Sequence, residues 1–88
     1  MYTITKADPS NQNFVGKSIG DKQTILNSRN KVEFICFSQG DTGFVRGFYL
    51  DPSAKQREID FEPLDYFQDA VGFTSMFYKL VAENWTEL

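Results

Sequence analysis

The segment KVEFICF (residues 31–37) constrains the fold more than any other stretch of the chain. Val32, Phe34 and Cys36 alternate onto one side, and Ile35 and Phe37 onto the other. A strand that is apolar on both faces is expected in the middle of a sheet, or covered on both sides. The rest of the sequence must supply its neighbours.

Several segments qualify. YTITKA (2–7) alternates and is rich in β-formers, so it predicts a strand, ended by the turn formers of DPSNQN. In FVGKSIGDKQTILN, Gly16 and Gly20 weaken a helix while Thr24, Ile25 and Leu26 lean towards strand, which predicts an extended segment before a turn at 27–30. After the turn SQGDTG, FVRGFYL (44–50) predicts another strand. DPSA then turns the chain into KQREIDF (55–61), the second arm of a hairpin that places Arg46 opposite Glu58 in one register. Phe44, Phe48 and Leu50 are expected to pack inward, with Gly47 allowing a bulge or close approach.

From Glu62 the period changes. Tyr66, Ala70, Phe73, Phe77 and Leu80 recur at helical spacing, Pro63 suits a first helical position, and Asp65 adds negative charge to the first turn. Gly72 is a candidate break, and the helical pattern runs on to Trp85. The expected architecture is a single α+β domain over 1–88: an antiparallel β-meander of four to five strands with a C-terminal helix, with a candidate break near Gly72, packed on one face.

Chemistry-bearing motifs are scarce. Gly16-Lys17-Ser18 resembles the end of a phosphate-binding loop, but Asn11 stands where that loop needs its first glycine, and Ile19-Gly20-Asp21 is a poor helix start. Arg46-Gly47-Phe48 matches only a fragment of the RNA-recognition pattern. With no histidine there is no imidazole base and no conventional zinc site. Cys36 is alone in the most apolar strand, which reads as a buried hydrophobe and excludes an internal disulfide. These features predict a non-enzymatic protein without cofactor or metal. No signal-like or membrane-spanning stretch is visible, so the expectation is a cytoplasmic protein without membrane contact.

Charge points to a partner. The chain carries a formal charge of -3, and from Arg57 onward it has two Lys/Arg against seven Asp/Glu. Nucleic acid is therefore expected to be an unlikely partner, and a protein with a basic surface the favoured one. Glu58, Asp60, Glu62, Asp65 and Asp69 cluster at the strand-to-helix junction as steering charges, with Tyr66, Tyr78 and Trp85 as aromatic anchors. In size, acidity and lack of catalytic groups the chain resembles the small inhibitors and adaptors that phages and other mobile elements, viral or otherwise, encode. Two alternatives stand beside the inhibitor or adaptor. One is a self-associating structural subunit that pairs through the edge of YTITKA. The other is a single-stranded RNA-binding module using Phe34, Phe44, Arg46 and Phe48.

Overall fold

The computed structural model describes residues 1–53, 59–80 and 85–88. KVEFICF is an interior strand, β3 (Val32–Phe37), hydrogen-bonded on both sides. In chain order the other strands are β1 (Tyr2–Ala7), β2 (Ser18–Ile19), β4 (Phe44–Tyr49), β5 (Ser75–Lys79) and β6 (Thr86–Glu87). They form one antiparallel sheet in the order β2-β1-β4-β3-β5-β6. Helix α1 (Lys22–Asn27) joins β2 to β3, and helix α2 (Glu62–Val71) precedes β5. The architecture is α+β, with a helix packed on one face of an antiparallel sheet.

One face of that sheet makes the core. Tyr2, Ile4, Phe34, Cys36, Val45, Tyr49 and Met76 point to it, and Phe67 of α2 closes it together with Phe73. The Phe67 ring is fully buried, edge-on to Phe14 at 5.1 Å and tilted against Phe73 at 6.4 Å. Aromatic packing of this kind lets a short chain bury a large apolar area.

The last third departs from the expected helix. α2 ends at Gly72, whose φ of 77° suits the left-handed ending. Gly72 N–H donates to Gln68 O at 3.0 Å, the single bond of an αL helix ending, and Phe73 N–H reaches Phe67 O at 3.4 Å. Residues 75–79 are then a strand, not a second helix. Met76 faces the core, Phe77 faces the other side, and Tyr78 sits half-buried beside the core cluster. Residues 81–84 lie outside the described residues.

Three further expectations change. Residues 22–27 are helical, because Asp21 caps them by accepting from Thr24 N–H (3.0 Å) and Thr24 Oγ1 (2.6 Å). β4 is flanked by β1 and β3, rather than forming the first arm of a hairpin with a later strand. Ile59 and Asp60 are not in a strand, while 54–58, and Glu58 with them, lie outside the described residues. Arg46 instead pairs with Glu33 on β3. Finally, Val45 and Tyr49 point inward, which sends Phe44 and Phe48 to the opposite face.

Gly47 is where β4 meets the β1 bulge between Ile4 and Lys6. A Cβ there would lie 1.9 Å from Thr3 O, so only glycine fits the approach of these two backbones.

Candidate functional site

Of the sequence-derived site residues, the structure brings four together on α2. Pro63, Leu64 and Phe67 turn inward, and helical spacing puts Glu62, Asp65, Tyr66 and Asp69 on the solvent side. Tyr66 is 38% exposed and packs edge-on against Phe67. Lys17 Nζ lies over the Tyr66 ring at 4.3 Å, so the Gly-Lys-Ser turn braces α2. Ser18 enters a strand rather than a helix and donates to Thr3 Oγ1 at 2.7 Å, which gives that motif a structural role. Phe61, at the entry to α2 and 50% exposed, extends the row with an apolar ring that sequence reasoning missed.

Asp60 plays another part. One carboxylate oxygen accepts from Glu62 N–H (2.8 Å) and the other from Tyr49 OH (2.9 Å), tying the start of α2 to β4. Burial, and then the bond to Asp60, push the Tyr49 phenol well above its usual range. Glu62 faces the Met1 ammonium at 3.6 Å. Asp8 is a second structural carboxylate. It accepts from Asn11 Nδ2 (2.6 Å), Phe44 N–H (2.9 Å) and Ser10 N–H (3.0 Å), and these bonds hold its carboxyl below the ordinary range.

Tyr78 and Trp85 do not join the α2 row. Tyr78 faces the core side of β5, and Trp85 lies on the sheet face turned away from α2. On that second face, the strand registers set side chains in three rows. Phe44 and Phe37 share the first row. Lys6, Arg46, Ile35, Phe77 and Glu87 make the second, and Thr3, Phe48, Glu33 and Lys79 the third, where Thr3 is fully buried. Phe37, Phe44, Phe48 and Phe77 are each partly exposed. Phe37 and Phe77 meet edge-on at 5.2 Å.

Charges thread between these rings. Glu33 bridges Arg46 and Lys79, the latter at 3.6 Å. The Trp85 ring, 36% exposed, is flanked by the Arg46 guanidinium at 5.3 Å and the Lys79 ammonium at 5.1 Å. Lys31 Nζ lies 5.6 Å from the Phe48 ring centre.

Cys36 is fully buried, and burial pushes its thiol up to about 12, far from a reactive thiolate. Among the described residues, no group of three or more His, Cys, Asp or Glu is arranged to hold a metal ion. Nor is any described helix long and apolar enough to cross a membrane. Set beside known proteins, the chain matches no family model, no curated protein and no solved structure.

Proposed function

We propose that the chain is a small non-enzymatic protein-interaction module, an inhibitor or adaptor that docks the solvent side of α2 on a basic protein surface. The observation that carries this reading is the row of Glu62, Asp65 and Asp69 on one helix side, bordered by the exposed rings of Phe61 and Tyr66. Carboxylates around an exposed aromatic pair combine steering with anchoring. The charges raise the encounter rate, and desolvation of the rings holds the complex. Asp60 acts as a positioning residue that fixes where α2 begins. Trp85 faces away from this surface and is not one of its anchors.

The test is capture from a source-cell lysate with the wild type and an Asp65→Asn/Asp69→Asn variant, both shown to be folded. Glu62 is left in place because it also serves the helix start. The expected result is a basic protein held at low salt by the wild type and held about tenfold more weakly by the variant. Equal retention by both proteins, or recovery of no basic protein at all, overturns the reading.

A further inference from the structure

We infer that the sheet face opposite α2 is a platform for single-stranded nucleic acid. This goes beyond the α2 surface and rests on different residues.

Single-strand binders combine rings on which bases stack with cations that follow the phosphates. Both parts are present on three adjacent strands. Phe44 and Phe37 are direct cross-strand partners, and Phe77 stacks edge-on to Phe37 from the next strand. Strands lie about 4.8 Å apart, so these three rings span roughly 10 Å, enough for two or three unstacked bases. Phe48 and Trp85 extend the ring surface on the same face.

The local charge differs in sign from the charge of the chain. Lys6, Lys31, Arg46 and Lys79 stand on this face against Glu33 and Glu87. Glu33 has both Arg46 and Lys79 beside it, so that cluster keeps a net positive charge. The carboxylates of α2 lie across the sheet and beyond a helix about 10 Å wide, past the Debye length of about 8 Å at physiological salt. The net charge of -3 therefore says little about this face. A flat, ringed surface favours splayed bases over a duplex, whose bases stay stacked and paired.

The probe is a labelled oligothymidylate or oligouridylate of about 12 nucleotides, titrated with the intact protein at about 50 mM salt. The chain has a single tryptophan, and Trp85 lies on the proposed surface, so its emission reports contact directly. The expected result is a rise in probe anisotropy that saturates together with quenching of Trp85. Affinity should fall with added salt at a log–log slope of about -2. Lys6→Glu, an exposed position, should weaken binding about tenfold with the fold intact, whereas Asp65→Asn/Asp69→Asn should not weaken it.

Absence of any anisotropy change up to about 100 µM protein overturns the proposal, since non-specific binding alone reaches that range. So does binding that leaves Trp85 emission unchanged and is indifferent to Lys6→Glu. A mass that rises with concentration, with a Trp85 shift and no probe present, assigns the face to a second copy and likewise overturns it. Each of these outcomes leaves the α2 reading standing, because Asp65 and Asp69 lie on the other surface.

Discussion

Gly47 carries the tightest single-residue requirement in the fold. Its missing side chain lets β1 bulge against β4, and a methyl group would collide with Thr3 O. Gly47→Ala should cost about 3 kcal/mol, the upper end of overpacking penalties and a large part of a small domain's stability. A urea midpoint measured beside the wild type checks this. The tyrosines set the alkaline limit. Burial pushes the Tyr2 phenol up to about 12, and Tyr49 rises further through burial and its bond to Asp60. Both pKa values are raised in the folded state. Their stabilising effect is therefore complete below the free phenol value of about 10 and is lost as pH climbs through the folded values. Urea midpoints should fall between pH 9 and 11, roughly the span from below to above that free value, and fall less steeply in Tyr49→Phe.

Among the elements, α1 and β5 behave oppositely. α1 has six residues, one of them fully buried, and short helices gain little on their own. β5 pairs with β3 on one side and β6 on the other. Amide exchange should therefore be fast through α1 and slow at the amides that join β3, β4 and β5, as hydrogen–deuterium exchange by NMR would show. Uniform protection of both regions would contradict this hierarchy. These same two elements were the least legible in the sequence. β1, β3, β4 and the start of α2 stand out because alternation, turn formers and Pro63 agree there. In FTSMFYKL, apolar residues occur at spacings of both two and four, so periodicity alone does not separate helix from strand. The left-handed Gly72 and the open side of β3 decide in favour of strand. For α1, the Asp21-to-Thr24 cap was the available signal, outweighed by Gly20 and the β-branched pair Thr24-Ile25.

At the level of the whole molecule, charge is divided between opposite surfaces. Most of the α2 row was legible, since Glu62, Asp65, Tyr66 and Asp69 follow from helical spacing alone. The cationic, ring-bearing face was not, because its residues come from five separate strands whose registers no local pattern specifies. Reading β5 as a helix also moved Phe77, Lys79 and Trp85 off the surface where they meet Arg46. Both surfaces keep apolar rings partly exposed, so solubility depends on net charge. Light scattering across pH should show a solubility minimum close to the sequence pI of about 4.7, with clear solutions at pH 7.

The outermost strands of the sheet, β2 and β6, are two residues long. YTITKA is not a free edge: Ile4 N–H donates to Lys17 O, Gly16 N–H to Ile4 O, and Gln12 Nε2 to Ala7 O. Among the described residues, an incoming strand would thus find an outermost strand of two residues at either rim, too few to hold a register against solvent. A sheet with such rims is a poor seed for fibrils. Its strand-rich, Phe-rich sequence can be concentrated while folded without growing end to end, and amyloid becomes a hazard only once the chain unfolds.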